Sequence, residues 1–284
     1  MMNDIRNTII ALRDVVKRFG SHTAIDHLTM EVREGETVAL LGQTGAGKST
    51  VMSLLMGTAT ADAGSVHVAG VDPALDFKAL RGKLAVSFQT DRLLPWRTAQ
   101  ENVELGLLLL DVPKNQARQR AREWLTRVKL QDACEKYPVE LSGGMRQRVS
   151  LARALAVDPA LVLLDESFSQ LDHVTSQTLR RDFAEIIREQ RKTCVFVTHR
   201  IEDALEIADR VLVLAAPARV CLELSIDAAQ RAIPACMADM HARIEYAIGG
   251  HVAPGQPAPR RATESAHQVP GTESVSTETT ASIR

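Results

Sequence analysis

The sequence predicts an α/β fold: a parallel sheet with helices on both faces. Three observations predict it. Short continuous apolar runs recur along the chain, "TVALL" at 37–41, "ALVLLDE" at 160–166, "TCVFVTH" at 193–199 and "RVLVL" at 210–214, each the length of a strand buried on both sides. Helical stretches lie between them, as around 179–189, and strands alternating with helices argue for a parallel sheet. Two of the runs close on polar residues, where an open α/β sheet carries its functional groups.

Size and composition agree with an ordinary globular chain. Its 284 residues, 45% hydrophobic and 24% charged, suffice for a substantial core in one or two domains. Lys and Arg number 34 against 35 Asp and Glu, for a net charge of -1. An electrostatic nucleic-acid binder carries a basic excess, so no nucleic-acid partner is expected. Cys134, Cys194, Cys221 and Cys236 show no C-x-x-C spacing and read as reduced, small apolar residues of a cytosolic protein. The opening "MMNDIRNTII" mixes charges into its first residues and lacks the apolar h-region of a secretory signal, so export is not expected. No apolar stretch approaches the roughly 20 residues that span a bilayer; if this chain works at a membrane, another must cross it.

The elements follow in order. In "IDHLTMEV", Leu28, Met30 and Val32 share one side of a period-two pattern, the mark of a half-buried antiparallel strand. "TVALL", bounded by glycines, reads as a buried parallel strand feeding the loop "GQTGAGKST". "KSTVMSLLMG" then reads as a helix with Gly57 as its stop. "GSVHVAG" and "KLAVSF" look like further strands. "TAQE" at 98–101 has capping-box spacing and opens an apolar helical run through Leu105. After Pro113, Ala117, Ala121, Trp124 or Leu125, and Val128 form one stripe of an amphipathic helix. Past a second glycine loop, "LSGGMRQR", Met145, Val149, Ala152 and Leu155 form another stripe, stopped by Asp158 and Pro159. Beyond Leu224 the signal fades, although "ACMADMHARIEYAIGG" reads as one more helix. From His251 the chain is rich in Pro, Ser, Thr, Glu and Gly, and the expectation is disorder.

The first glycine loop fits G-x-x-x-x-G-K-[ST] in the context the motif requires, strand before and helix after. Gly42, Gly45 and Gly47 let the backbone wrap a phosphate. The N–H groups of the loop, through Gln43, Thr44, Ala46 and Thr50, and the helix N-terminus supply a positive field. Lys48 reaches the β- and γ-phosphates, and the Ser49 hydroxyl is the natural Mg²⁺ ligand. "LVLLDE" ends in Asp165, suited to hold Mg²⁺ through water, and Glu166, suited to act as general base on the attacking water; read alone, such a pair is equally a helix start. His199, at the end of another strand, is a structural histidine or a functional one. Gln89, after "AVSF", is a surface glutamine or a phosphate sensor that also meets the metal.

Their order decides between these readings, because over 10–214 the chain resembles the ATP-binding cassette (ABC) family. Phe19 in "VVKRFG" matches the aromatic that stacks on adenine, "GQTGAGKST" the Walker A loop and Gln89 the Q-loop. "LSGGMRQR" matches the signature, "LVLLDE" the Walker B strand, "SQLD" the D-loop through Asp172, and His199 the H-switch. The resemblance implies a P-loop NTPase (RecA-like) core with an antiparallel β subdomain and an inserted α-helical signature subdomain. Its implied bounds are a cassette over 8–224, with the helical insertion near 91–157, a helical extension over 225–250, and the tail 251–284. It further implies ATP with Mg²⁺ clamped in a head-to-tail dimer, with Ser142, Gly143 and Gly144 donating to the γ-phosphate held by the other subunit. The same loops in "LLPW", "ENV" and "LGL" resemble the ATPases of bacterial importers for nitrate, sulfonates and taurine. That implies a second, identical cassette, integral membrane permease subunits, an indirectly acting solute-binding protein, and a peripheral place on the cytoplasmic face. Trp96 with Leu93 and Leu94 then reads as an exposed anchor for the permease, or Trp96 as packing within the helical subdomain. A cassette serving an exporter, a soluble cassette acting on nucleic acid and a dead-site regulator are the competing readings. Ser167 where Pro is usual, Ser169 and Gln170 in the D-loop, and Arg200 where Asp is frequent depart from the family pattern.

Overall fold

The computed structural model describes residues 8–168 and 173–249; Ser169, Gln170 and Asp172 of the "SQLD" run, and the tail from His251, lie outside the described residues. Two sheets organise the molecule. The larger has the order β5-β6-β7-β3-β8-β9, made from β3 (Thr37–Leu41), β5 (Leu84–Ser87), β6 (Leu161–Asp165), β7 (Thr193–Val197), β8 (Arg210–Ala215) and β9 (Arg219–Ser225). Its strands run parallel except β9, which pairs antiparallel with β8 at the edge.

Period-two geometry explains why these strands read as unbroken apolar runs. Ala39 and Leu41, Val162 and Leu164, and Cys194 and Phe196 enter one core. Their neighbours Val38 and Leu40, Leu161 and Leu163, and Val195 and Val197 enter a second core on the other face. Each strand is therefore buried twice, and no position remains for the polar alternation of a half-exposed strand.

The smaller sheet is antiparallel, in the order β2-β1-β4, from β1 (Thr8–Phe19), β2 (His22–Arg33) and β4 (Ala63–Val68). Leu28, Met30 and Val32 of β2 are buried, as their spacing predicts. The sequence gives no sign of β1. Its ladder with β2 shifts register between Leu12 and Val15 and again around Lys17, and Asp14 sits at φ 53; such bulges break the alternation that announces a strand. The edge strand β9 is missed because the consecutive apolar residues Val220, Cys221 and Leu222 of "RVCLELS" break the alternation that continues only over Leu222–Ser225.

Helix α1 (Lys48–Leu55) ends before Gly57, which has φ 70 and would place a Cβ 2.1 Å from the Pro73 carbonyl oxygen. Helices α2 (Ala99–Leu109), α3 (Lys114–Arg127) and α4 (Gly143–Ala156) form a separate layer on one core. The capping box is present: the Glu101 amide donates to Thr98 Oγ1 at 3.2 Å, and the Thr98 amide to Glu101 Oε2 at 2.9 Å. The α2 helix runs past Leu105, and Gly106 there lets α4 approach; a Cβ would lie 2.8 Å from Val157 Cγ1. Ala117, Ala121, Trp124, Leu125 and Val128 are all buried, as is most of the α4 stripe. The remaining helices are α5 (His173–Glu189), α6 (Ile201–Ile207), α7 (Ala228–Arg231) and α8 (Pro234–Ile248). Through Met240, Ile244 and Ala247, α8 joins the same core as β8 and α6. Among the described residues no helix is long and apolar enough to cross a membrane.

Candidate nucleotide-binding site

The glycine loop between β3 and α1 has the backbone that its sequence requires. Gly42 and Gly47 sit at φ 152 and φ 82, and a Cβ on either would come within 2.4 Å of the Leu214 carbonyl oxygen or 2.7 Å of that of Ala24. Only glycine fits both positions. Gly45, at φ 85, faces open space, and Gln43, Thr44 and Ser49 are exposed while Ala46 is buried beneath them. Lys48 is only 7% exposed, and its ammonium donates to the carbonyls of Gly42 at 2.7 Å and Gln43 at 2.9 Å. Burial holds its pKa below the ordinary lysine value, opposed by the nearby charges of Glu166 and Asp165. The Gln43 side chain donates to the Ile248 carbonyl at 2.8 Å, which joins the loop to the end of α8.

Three neighbouring strands deliver the remaining groups. Gln89 follows β5, Asp165 ends β6 with Glu166 next, and His199 follows β7. Because β5, β6, β7 and β3 are adjacent and parallel, their carboxyl ends bring these residues and the glycine loop to one edge. Gln89 Nε2 donates to Glu166 Oε2 at 3.2 Å, and His199 Nδ1 lies 3.4 Å from Glu166 Oε1. Glu166 sits at φ 47, its amide bonded to the Val197 carbonyl at 3.0 Å. The Asp165 carboxyl is pushed above its ordinary value by burial and by Glu166, with Arg92 and Lys48 opposing. An Asp165 carboxylate raised in this way, beside a second carboxylate, suits an added cation. Among the described residues no three His, Cys, Asp or Glu side chains converge as a metal cage. Such a donor set fits Mg²⁺ that keeps phosphate oxygens and water as its other ligands, with Ser49, Asp165 and Gln89 at hand.

Around this edge lie residues to which sequence reasoning assigned no role. Arg146, in the "RQR" that follows the second glycine loop, donates from Nε to Asp91 Oδ2 at 2.9 Å and from Nη1 to the Leu141 carbonyl at 2.8 Å. Arg153 donates to the carbonyls of Arg92 and Asp91 at 2.8 and 2.7 Å. Together they bind the segment after Gln89 to α4. The only available signal was a pair of arginines on the polar side of an amphipathic helix, which reads as a solvated face. Arg92 stacks on Phe88, 3.6 Å from the ring centroid. Beneath α6, Arg180 and Asp203 form a buried ion pair at 2.9 Å, and Arg200 approaches Asp203 at 3.6 Å.

Other expected positions divide. Phe19, at the end of β1, is 55% exposed with Lys17 Nζ 5.3 Å from its centroid. Ser142 caps α4, its oxygen accepting from the Met145 amide at 3.3 Å, and Gly143 and Gly144 open that helix. Among the described residues no hydrogen bond joins them to the loop 42–50. Trp96 is 70% exposed, as an anchor requires, but Leu93 is buried at 8% and belongs to the core. Its inward turn follows from Asn102, which accepts from the Leu94 amide at 2.8 Å and donates to the carbonyls of Leu94, Arg97 and Thr98.

The profile of the ABC transporter family matches residues 25–169. Over 210 residues the chain is 39% identical to the methionine import ATP-binding protein MetN of Rhizobium etli, covering 72% of this chain and 58% of that protein. It is 40% identical over 220 residues to the aliphatic sulfonates import ATP-binding protein SsuB of Mycobacterium avium, covering 78% of this chain and 82% of that one. The chain thus spans less than two thirds of the length of the first of these relatives. A dimeric ATP-binding cassette in a post-hydrolysis state with ADP and Pi superposes with a TM-score of 0.67 at 30% identity, covering 77% of this chain and 99% of that one. With the glycine loop, the two carboxylates and the flanking Gln89 and His199 arranged as described, the chain belongs to the ABC transporter family.

Proposed function

We propose that this chain is the ATP-hydrolysing subunit of a bacterial importer for a small solute, in the class of nitrate-, sulfonate- or taurine-like anions. One observation carries the hydrolytic reading: the Glu166 carboxylate is held between Gln89 and His199 and acts electrostatically on Lys48 of the glycine loop. In this reading the loop 42–50 wraps the phosphates, Lys48 balances their charge, and Phe19 stacks on the base. Glu166 takes a proton from the attacking water while Gln89 orients one of its oxygens and His199 faces the other. Bound Mg²⁺, held by Ser49, Asp165 and Gln89, would neutralise charge on the phosphates.

Cleavage breaks the bond between the γ-phosphorus and the bridging oxygen. Water supplies the new oxygen, Glu166 receives its proton, and ADP and inorganic phosphate leave. Ser142, Gly143 and Gly144 complete the site of a second, identical chain. The capped N-terminus of α4 suits that role, since helix N-termini bind anions, and the related cassette solved with ADP and Pi is a dimer. Asp172 of the D-loop stands at the same interface in this reading. The exposed Trp96 supports docking to integral membrane permease subunits, with a solute-binding protein acting through them and the chain peripheral on the cytoplasmic face. Relatives named for sulfonate and for methionine import match about equally well, so the anion class rests on the "LLPW" resemblance.

The test is Glu166→Gln. Its turnover should fall by about two to four orders of magnitude, the contribution of a general base, while ATP binding persists and the variant elutes as a dimer with ATP. Turnover close to wild type, or a monomer at saturating ATP, would overturn the reading.

A further inference from the structure

Beneath the Glu166 loop three serine hydroxyls meet away from solvent. Ser87 ends β5, Ser150 lies on α4, Ser167 follows Glu166, and all three are buried. Ser167 Oγ donates to the Ser87 carbonyl at 3.1 Å and lies 3.3 Å from Ser87 Oγ. Ser87 Oγ in turn lies 3.4 Å from Ser150 Oγ.

These contacts close a ring. The backbone runs from Ser87 through Phe88 to Gln89, whose amide bonds the Glu166 carboxylate. From Glu166 the chain passes to Ser167, and the Ser167 hydroxyl returns to Ser87. Gln89 and Glu166 are thus tied twice, once through their own side chains at the exposed rim and once through buried hydroxyls below. The lower tie matters because Glu166 holds a positive φ, a backbone state that persists only where the surroundings impose it. Ser150 brings in a third element, the helix that begins at the second glycine loop.

We propose that Ser167 is a positioning residue for Glu166 and Gln89, and that its hydroxyl, with those of Ser87 and Ser150, couples the hydrolytic edge to α4. The proposal rests on the reading of this site as an ATPase.

The test compares Ser167→Ala and Ser167→Thr with wild type in steady-state ATP turnover, thermal melting, and hydrogen exchange of the amides at 88–92 and 166–168. Ser167→Ala should lower kcat about tenfold, as loss of one buried hydrogen bond can, with KM for ATP within about twofold. Exchange at 88–92 should quicken, and Ser167→Thr, which keeps the hydroxyl, should recover both. Wild-type kcat and exchange in Ser167→Ala would overturn the proposal. So would failure of Ser167→Thr to recover them despite a wild-type melt, or losses in KM and melting that match the loss in kcat. Should wild-type protein itself show no turnover, the ATPase reading falls, and exchange at 88–92 in the two variants still decides whether the hydroxyl ties the segments.

Discussion

Asp165 illustrates how a residue suited to a site can weaken the fold that carries it. Burial and the adjacent Glu166 raise its pKa above the ordinary 3.8. The folded chain therefore holds this proton more tightly than the unfolded chain does, and stability falls as pH rises from the ordinary value through the raised one. At neutral pH the ionised carboxylate is a net cost to the isolated chain. Asp165→Asn should raise the neutral-pH melting temperature by about 1–3 °C, the gain shrinking as the pH approaches 3 to 4, where the wild-type group is protonated. The same variant should lose the Mg²⁺-dependent part of its stabilisation by ATP. Calorimetry across pH, with and without Mg-ATP, reads both effects; a variant less stable than wild type at pH 7 would refute the assignment of the shift. Lys48 shifts in the opposite direction with the same consequence: burial lowers its pKa, so its ammonium is likewise a cost, one that ATP phosphates can offset.

At the scale of elements, Asn102 shows what motif reading can miss. It is fully buried in the first turns of α2 and satisfies four backbone groups of the segment that presents Trp96. Asn102→Ala strands the Leu94 amide and the Arg97 carbonyl, while the carbonyls of Leu94 and Thr98 keep backbone amides, at a cost of about 1–3 kcal/mol. Urea unfolding should register that loss, and Trp96 fluorescence should shift as its loop loosens; an unchanged midpoint would count against this role. What was legible in the sequence was whatever a local pattern records. The twice-buried strands, the Thr98 and Glu101 cap and the glycine loop each follow from neighbours a few residues apart. The strand β1 was hidden by its bulges. The ties of Arg146 and Arg153 to the segment after Gln89 span 55 and 62 residues, and the serine ring joins three distant segments, so neither leaves a mark on local periodicity. The convergence of Gln89, Glu166 and His199 was anticipated only because their order matched a family; spacing alone left each of them open. Leu93 was misread for a related reason, since its direction is set by Asn102, eight residues from Leu94.

At the scale of the whole molecule, two layers meet on the central sheet, and the candidate site lies along one edge of that sheet. The segment from Asp91 to Ala156 leaves this edge after Gln89 and returns to the sheet before Asp165, so the helical layer is anchored beside residues of the candidate site at both of its ends. That arrangement suits a layer whose orientation follows the occupant of the site. The bond between Gln43 and Ile248 adds a second route, spanning 205 residues of sequence. Thermodynamic reciprocity gives it a definite consequence: if the last turn of α8 steadies the glycine loop, then a nucleotide that steadies the loop must equally steady that turn. Amides at 244–249 should therefore exchange more slowly with ATP present, and Gln43→Met should abolish that protection while lowering nucleotide affinity about two- to fivefold. Whatever pulls on the end of this helix would then adjust, by the same increment of free energy, how firmly the distant loop grips its ligand.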